Sequence, residues 1–298
     1  VKDKERKINT TMENTRAKTT RNSLILLLTA TIWGMAFVSQ SKGMDYMHPF
    51  TFNGVRSLIG AAGILVYILI SRKIAGDKAA KLDWKLNVRA GLLCGIFLTI
   101  ASTLQQFGIK YTSVGKAGFI TTLYIIIVPF MGLFLKKKVG MNIWISAVIA
   151  AVGMYFLCIT ESFSIGAGDR LVLMCSVVFS VHILVIDYFS PKADGVVISC
   201  VQFFTAGVLA CVLMLLFEHP SMSAVIAAAA PILYAGVMSC GVGYTLQVVA
   251  QNGVDPTIAS LLLSLESVFS VLAGWVILGQ KLSGRELFGC ALVFAAVL

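Results

Sequence analysis

The sequence predicts an all-α polytopic membrane protein whose ten transmembrane helices form two inverted five-helix repeats. The first observation is composition: 58% of the 298 residues are hydrophobic and 13% are charged, whereas a soluble domain carries about 25% charged residues. The second is hydropathy, since the mean hydropathy is +0.88 and apolar runs of about 20 residues, the length of a membrane-spanning helix, recur along the chain. The third is a faint internal repeat.

Ten apolar segments follow a polar tail of mixed charge at residues 1–22, which we expect to be cytoplasmic and largely disordered. The spans are predicted at 23–41, 50–71, 88–109, 114–135, 141–159, 169–189, 196–217, 231–250, 257–278 and 283–298. The first five would form one repeat at 23–159, and the last five a second repeat at 160–298. Because five is odd, the second repeat enters the membrane the other way up. The connections are short, so we expect each helix to lie beside its neighbour in the chain.

Positive charge indicates the orientation of the protein. The basic residues lie in a few flanks of the apolar runs, chiefly the tail, the loop between residues 72 and 85, and Lys136 to Lys138. Because cytoplasmic loops carry the excess of Lys and Arg, this pattern predicts a multi-pass protein of the cell (inner or plasma) membrane with a cytoplasmic N-terminus. The net charge of +10 does not indicate nucleic-acid binding, since no basic stripe with interleaved aromatic residues is present.

Nothing in the sequence resembles an enzyme site. There is no set of nucleophile, base and acid, no phosphate-binding loop and no cluster of metal ligands, so we predict no catalytic residue, no metal and no cofactor. The seven cysteines lie in apolar runs without Cys-x-x-Cys spacing, which is typical of small buried side chains. His182 and Asp187 lack the i,i+4 spacing of a helical metal site, so packing or a local hydrogen bond is favoured.

The internal repeat rests on polar and aromatic positions as well as on hydropathy. Sliding the first half onto the second aligns four pairs at nearly the same offset: Trp33 with Phe179, Arg56 with Gln202, Gln106 with Gln247, and Tyr124 with Glu266. Inverted repeats place a pseudo-two-fold axis in the membrane plane, and a binding site near the midplane where the halves meet. We therefore expect a central cavity lined from predicted helices 1–4 and 6–9, with helices 5 and 10 at the periphery or at an interface.

Glu266 lies about ten residues into the predicted ninth helix, close to the membrane midplane at about 1.5 Å per residue. A carboxylate there either carries a proton, because burial disfavours the charged form, or pairs with a cation such as Arg56. It is the candidate for proton coupling or for contact with an amine, and a structural hydrogen bond to a neighbouring helix is the alternative. Ser260, Ser264 and Ser267, at spacings of four and three, favour a small-residue packing stripe.

Arg56 lies some two turns into the predicted second helix, and a charge at the bilayer centre costs about 2.5–3.5 kcal/mol unless it faces protein or water. It is either a counter-charge for an anionic group such as a carboxylate, or part of a structural ion pair or helix cap. Lys116, near the outer face, either snorkels to the interface or forms a cationic rim to a vestibule. Tyr124 lies two turns deeper on roughly the same face, so it is a cavity candidate.

Glutamines can donate and accept hydrogen bonds without a buried charge, which suits a cavity for polar solutes, although they equally hold helices together. The indole of Trp33 likewise either lines the cavity or packs between helices. The remaining candidates for the cavity are Trp33, Gln106, Tyr111, Gln202 and Gln247. Pro129 removes one helical hydrogen bond and is predicted to kink its helix, either as a static bend or as a gating hinge.

Several motifs are similar to those of a known family. They are Trp33-Gly34 with Phe37, Pro49 through Arg56, Tyr111-Thr-Ser, Gly115-Lys-Ala-Gly-Phe-Ile with Pro129, and Leu265-Glu-Ser-Val with Leu278-Gly. On these residues, and across nearly all of 23–298, the chain resembles the EamA branch of the drug/metabolite transporter superfamily. One departure is Gln280, where the family often has glutamate, and we assign that position no role. The motifs do not distinguish among amino acids, metabolites and drugs, so they identify a fold more than a substrate.

The resemblance implies a secondary transporter of small organic solutes that works by alternating access, with export of amino acids or related metabolites as the expected activity. The expected partners are a small-molecule substrate and the lipid bilayer, with proton coupling and a homodimer as further options and no nucleic acid. The alternative is a membrane scaffold or assembly subunit of the same fold that does not transport. A scaffold has no need of Arg56, Glu266 and the glutamines together, which favours the transporter.

Overall fold

A computed structural model describes residues 2–76, 82–112, 114–137, 139–158, 166–278 and 283–297, with the backbone alone at 2–16, 114–116, 157–158 and 278. Over these ranges the chain is a succession of helices. They are α1 (Lys2–Gly43), α2 (Pro49–Ala75), α3 (Trp84–Tyr111), α4 (Val114–Thr121), α5 (Tyr124–Phe134), α6 (Met141–Cys158), α7 (Ala167–Phe189), α8 (Gly195–Phe217), α9 (Met222–Ala227), α10 (Ala229–Leu233), a π-helix (Tyr234–Gly243), α11 (Tyr244–Gln251), α12 (Pro256–Leu263), α13 (Glu266–Leu278) and α14 (Gly284–Val297).

Eight described segments are long and apolar enough to cross a membrane. They are Ala17–Gly43, Pro49–Ala75, Trp84–Tyr111, Ala117–Phe134, Ala167–Phe189, Gly195–Phe217, Ala229–Gln251 and Pro256–Ile277. These coincide with predicted spans one to four and six to nine. The predicted fifth span is the shorter apolar helix Met141–Phe156, and the tenth is the 14-residue α14. The prediction of an all-α polytopic fold is therefore confirmed.

The polar tail is continuous with the first membrane helix. α1 runs from Lys2 to Gly43, so the prediction of a largely disordered tail is wrong over these residues. The tail holds no glycine or proline and many Lys, Arg and Glu residues, and a helix that is already nucleated extends at little cost. Its base is also tied to the bundle, since Lys18 Nζ donates to Asn252 Oδ1 at 3.3 Å and Asn22 Nδ2 donates to the Asn252 carbonyl at 2.9 Å.

Helices of one half pack mainly against helices of the other half. α2 lies along α8, α3 along α7 and α8, α6 along α14, and α1 along α13 and the π-helix, whereas α2 and α3 touch only slightly. The expectation that each helix lies beside its neighbour in the chain is therefore wrong for most of the bundle. Short loops bring helix ends together, but side-by-side packing depends on which helix faces can approach closely.

Glycines permit the close crossings between the halves. A methyl group added at Gly34 of α1 would lie 2.4 Å from Phe269 Cβ and 2.8 Å from the Glu266 carbonyl oxygen of α13. A methyl group added at Gly95 of α3 would lie 2.6 Å from Thr205 Cβ of α8. Small residues matter in a membrane because van der Waals packing, and not a hydrophobic force, holds helices together. Gly34 thus brings α1 against the turn of α13 that carries Glu266.

The predicted fourth and ninth spans are each interrupted near the middle by one tightened turn. Between α4 and α5 this turn is Thr122–Leu123, and between α12 and α13 it is Ser264–Leu265. At both places backbone N–H groups bond carbonyl oxygens three residues back. Tyr124 and Glu266, the residues immediately after the two turns, are 142 residues apart. The two halves therefore share a structural feature at equivalent positions, which supports the predicted repeat.

Side-chain hydroxyls account for these interruptions better than proline does. A hydroxyl donates to the carbonyl oxygen three residues back, at 2.7–2.8 Å, from Ser260, Ser264, Ser267 and Ser270. In the first half, Thr122 Oγ1 donates to the Gly118 carbonyl at 2.9 Å. Such bonds compete with the helical pattern and bend helices. Pro129 lies inside α5, past the interruption, and α12 to α13 is interrupted without a proline near the turn. The interruption lies at Thr122–Leu123, seven and six residues before Pro129, and the kink predicted at Pro129 stays a prediction.

The eighth span contains a π-helix at Tyr234–Gly243, which the sequence does not predict. Widened turns of this kind are frequent at functional sites. Gly243 has no side chain, and a methyl group added there would lie only 2.8 Å from Trp33 Nε1. The end of the π-helix therefore leaves room for the indole of Trp33 at the centre of the bundle.

Candidate functional site

A narrow cavity lies where the two halves meet. Its lining comes from predicted helices 1–4, 6, 8 and 9, while α6 and α14 contribute nothing to it. The seventh predicted helix, α8, was expected on the lining and is absent from it. The cavity leaves about 40 Å³ in which the centre of a water molecule fits. This is room for a few water molecules.

Tyr124 and Glu266 meet directly in this cavity. Tyr124 Oη donates a hydrogen bond to Glu266 Oε1 at 3.0 Å. Both side chains are buried, with 3% and 5% of their surface exposed. Each is the first residue after the tightened turn of its span. The two halves therefore contribute equivalent positions to one central hydrogen bond.

Arg56 lines the same cavity from α2, and only 6% of its surface is exposed. Its guanidinium carbon lies 5.3 Å from the centre of the Phe52 ring, and its Nε has no hydrogen-bond partner. Within the described residues no carboxylate oxygen lies within 4.0 Å of an Arg56 nitrogen, so Arg56 and Glu266 form no ion pair. The cavity therefore holds a cation and a carboxyl group that do not neutralise each other by direct contact.

Four polar atoms on the cavity lining are buried without a hydrogen-bond partner. They are Trp33 Nε1, Gln40 Oε1, Arg56 Nε and Gln247 Oε1. The first and third are donors, and the two amide oxygens are acceptors. An unpaired buried polar group costs about 1–3 kcal/mol, so such groups persist where water or a solute can bind them. This set suits a molecule that carries both acceptors and donors.

Aromatic rings form the rest of the wall. The Trp33 and Tyr244 ring centres are 4.4 Å apart, and the His182 and Tyr244 rings are edge-to-face at 6.2 Å. His182 is only 1% exposed, and its Nε2 lies 3.2 Å from Gln202 Oε1. Gln202, a predicted cavity residue, is thus in contact with the lining through His182 and is not on the lining itself. These rings provide a rigid apolar surface with a few polar tips.

Several lining residues were not selected from the sequence: Gln40, His182, Ser239 and Tyr244. A signal existed for two of them. Gln40 lies seven residues after Trp33, and His182 three after Phe179, so helical spacing puts each on the face of a residue already singled out. No signal marks Tyr244, which lies in an apolar run next to the unpredicted π-helix.

Besides Gln202, two predicted site residues within the described part of the chain do not appear on the lining. Gln106 is fully buried, and its Nε2 donates to the Gln40 carbonyl at 3.3 Å, so it joins α3 to α1. Its neighbour Gln105 lines the cavity instead, because one residue turns the side chain by about 100° around the helix. Tyr111 is 62% exposed at the end of α3. Both are therefore corrections to the predicted lining, and the Lys116 side chain lies outside the described residues.

The described residues contain no group of three His, Cys, Asp or Glu side chains that could hold a metal ion. Six cysteines in this part of the chain are free thiols. The groups that the cavity offers to a solute are the Arg56 guanidinium, the Glu266 carboxyl group and the unpartnered polar atoms of the lining.

Comparison with known proteins identifies the family. The profile of the EamA-like transporter family matches the chain twice, at residues 21–159 and 166–298. An uncharacterized transporter of Archaeoglobus fulgidus is 28% identical over 274 residues, which cover 92% of this chain and 83% of the relative. Two uncharacterized transporters of Bacillus subtilis (strain 168), YwfM and YoaV, are 26% and 22% identical over 93% and 89% of this chain, and over 92% and 91% of their own lengths.

The fold has a counterpart among solved structures. One crystal structure superposes with a TM-score of 0.76 at 18% sequence identity, over 93% of this chain and 95% of that chain. The apolar helices and these relatives describe a multi-pass membrane protein, and a transporter family is not an enzyme family. With both halves matched, the chain belongs to the EamA-like transporter family.

Proposed function

We propose that the protein is a secondary transporter that exports small zwitterionic solutes, amino acids or closely related metabolites, by alternating access around the central cavity. The observation that carries this proposal is the presence of Arg56 and Glu266 in one buried cavity without a direct ion pair. A charge near the centre of a bilayer is costly, and intramembrane charges are generally functional. A cationic and an acidic group that do not pair with each other are complementary to a solute that carries both a carboxylate and an ammonium group.

The unpartnered atoms of the lining fit the same solute. The carboxylate of a zwitterion would accept hydrogen bonds from Arg56 and from the indole N–H of Trp33. Its ammonium group would donate to Glu266 and to the amide oxygens of Gln40 and Gln247. The aromatic wall would hold a variable side chain by packing, which favours a range of related solutes.

Alternating access requires contacts between the halves to break at one end of the bundle at a time. At the end where α1 enters the bundle, Lys137 of the first half pairs with Asp187 of the second half, and Asn22 Nδ2 donates to the Asn252 carbonyl at 2.9 Å. At the opposite end, Glu218 of the second half accepts the α2 backbone N–H of Thr51 at 2.7 Å. The proposed cycle would therefore break the Lys137–Asp187 contact when one end opens and the Glu218–Thr51 contact when the other end opens.

Proton coupling is the second part of the proposal. Glu266 lies in the same cavity as Arg56, so binding or release of its proton changes the charge that an incoming ammonium group meets. The positive-inside pattern orients the N-terminus, and with it the Lys137–Asp187 end, toward the cytoplasm. Export would then couple solute exit to proton entry through Glu266.

The test is counterflow in proteoliposomes that contain the purified full-length chain. The panel holds amino acids, the matching amines without a carboxylate, the matching acids without an amine, and amphiphilic drugs. We expect exchange of the zwitterions and little exchange of either truncated analogue. Arg56→Gln should reduce zwitterion flux at least about tenfold, since a charge-assisted hydrogen bond contributes about 1.5–3 kcal/mol. Lys42→Gln, which removes an exposed cation, is the matched control and should leave flux unchanged.

Two results would contradict the proposal. Absence of protein-dependent flux for every member of the panel would favour the non-transporting scaffold. Equal flux of the zwitterions and of their decarboxylated analogues would contradict the role of Arg56. Proton coupling has its own test, because Glu266→Gln should abolish the dependence of flux on a pH gradient, and an unchanged dependence would exclude it.

A further inference from the structure

Two adjoining apolar grooves lie away from the central cavity, one along α3 alone and the other between α3, α5 and α7. The first runs along α3 and is lined by Trp84, Lys85, Val88, Arg89, Leu92 and Leu93. The second starts at the same Leu93 and passes between the ends of α5 and α7, where Phe134 and Tyr188 line it. Their volumes are about 760 and 600 Å³, and each has room for a hydrocarbon chain. Because they meet at Leu93, we call them together the double groove.

The double groove has the depth of one membrane leaflet. α3 begins at Trp84, and α5 and α7 end at Phe134 and Phe189, so all three rims lie at the same membrane face. From Lys85 to Leu93 the helix rises about 12 Å at about 1.5 Å per residue. That is close to half of the hydrocarbon thickness, which is about 30 Å. The grooves therefore end near the depth at which the acyl chains of one leaflet end.

The rim of the double groove is basic. The exposed cations there are Lys85 and Arg89 on the first turns of α3, Lys136 after α5 and Lys192 after α7. Lys192 Nζ lies 3.2 Å from the centre of the Tyr188 ring, which itself lines the second groove. Among the described residues, none of these four cations forms an ion pair with a carboxylate.

The acidic residues near this rim already have partners. Asp83 accepts the Leu86 N–H at 3.0 Å and caps α3, and Asp194 likewise caps α8. Asp187 pairs with Lys137. With Lys137 included, five cations face these three carboxylates, so the rim carries net positive charge at the level where lipid phosphates lie.

We propose that the double groove binds one anionic phospholipid, with its phosphate held by Lys85 and Arg89 and its two acyl chains along the two grooves. Membrane topology alone requires positive charge at a cytoplasmic face, but it requires no pair of grooves that meet beneath that charge. Charge complementarity selects an anionic over a zwitterionic headgroup. The site is independent of the central cavity and of the solute that the cavity carries.

Trp84 provides the test, because 57% of its surface is exposed and it lines the first groove. The full-length chain is reconstituted in phosphatidylcholine vesicles that contain brominated phosphatidylglycerol or, at equal mole fraction, brominated phosphatidylcholine. Quenching of Trp84 is the difference in tryptophan fluorescence between the protein and Trp84→Phe. We expect brominated phosphatidylglycerol to quench Trp84 about twofold more than brominated phosphatidylcholine does.

A charge-matched pair of variants separates the site from general surface charge. Lys85→Gln with Arg89→Gln should remove the preference for phosphatidylglycerol, whereas Arg21→Gln with Lys73→Gln, which removes two exposed cations at the same membrane face, should keep it. Equal quenching by the two lipids, or a preference that survives the first pair, would overturn the proposal. Loss of the preference when excess glycerol phosphate is added would overturn it as well, because an occupant held through its acyl chains resists competition by a free headgroup.

Discussion

Tyr124→Phe removes one hydroxyl group from the centre of the protein and leaves the ring in place. In the structure this hydroxyl donates to Glu266 Oε1 at 3.0 Å, between side chains that are only 3% and 5% exposed. A buried hydrogen bond contributes about 0.5–1.5 kcal/mol between neutral groups and about 1.5–3 kcal/mol when one group is charged. The coupling energy between the two side chains therefore reports the state of Glu266, and a coupling above about 1.5 kcal/mol indicates a carboxylate.

A double-mutant cycle isolates this contribution. The free energy of unfolding of the full-length chain in mild detergent is measured for Tyr124→Phe, Glu266→Ala and the double variant. Alanine is used because glutamine would keep an oxygen that accepts the Tyr124 hydroxyl. We expect a coupling energy of about 0.5–1.5 kcal/mol if Glu266 is protonated and of about 1.5–3 kcal/mol if it is a carboxylate.

The outcome that refutes this reasoning is additivity. Independent sites add to within about 0.3–0.5 kcal/mol, so a coupling energy in that range would mean that Tyr124 and Glu266 do not interact. Tyr155→Phe is the matched control, since Tyr155 is 39% exposed and lies outside the cavity lining. It should change the free energy of unfolding by less than about 0.5 kcal/mol.

Three further predictions concern the frame around the site. Gly34→Ala puts a methyl group 2.4 Å from α13, and overpacking of this kind costs about 1–3 kcal/mol. This cost should outweigh the gain in helix propensity and lower the Tm. Gly63→Ala is the control, because no atom lies within 4 Å of the added methyl group, and it should raise the Tm. Lys136 has a φ of 58°, so Lys136→Gly should stabilise the protein by about 1 kcal/mol and Lys136→Ala should not, as chemical denaturation would show. Glu218→Ala removes the carboxylate that accepts both the N–H and the hydroxyl of Thr51, at 2.7 Å each. It should lower the free energy of unfolding by about 0.5–2 kcal/mol and speed amide exchange at the start of α2. Unchanged exchange would contradict the role of Glu218 as a cap of α2.

Much of the fold could be predicted from hydropathy, because whether a segment forms a membrane-spanning helix depends on the composition of that segment. A chain in lipid must satisfy its own backbone hydrogen bonds, so an apolar run of sufficient length becomes a helix wherever its partners are. The predicted spans one to four and six to nine accordingly match the structure. The prediction of a disordered tail was wrong, because a polar composition favours disorder only where no adjoining helix extends into the segment.

The site was accessible only in part. Tyr124, Glu266, Arg56, Trp33 and Gln247 were selected because polar or aromatic groups stand out in apolar runs, and the structure places them on one lining. Hydropathy does not distinguish the adjacent glutamines Gln105 and Gln106 of α3. Gln105 lines the cavity, whereas Gln106 donates to the backbone carbonyl of Gln40. A rotation of about 100° separates those two positions, and it follows from helix packing.

The sequence by itself determined that the chain crosses the membrane as helices, and which residues carry the costly polar groups, because hydropathy and charge are properties of each segment alone. Tertiary structure alone decided that Tyr124 bonds Glu266, that Arg56 forms no ion pair with Glu266, and that His182 and Tyr244 complete the wall. These outcomes depend on crossings between helices far apart in the chain, such as α1 with α13 at Gly34. Such crossings follow from the contact of two surfaces, and no single segment of sequence contains both.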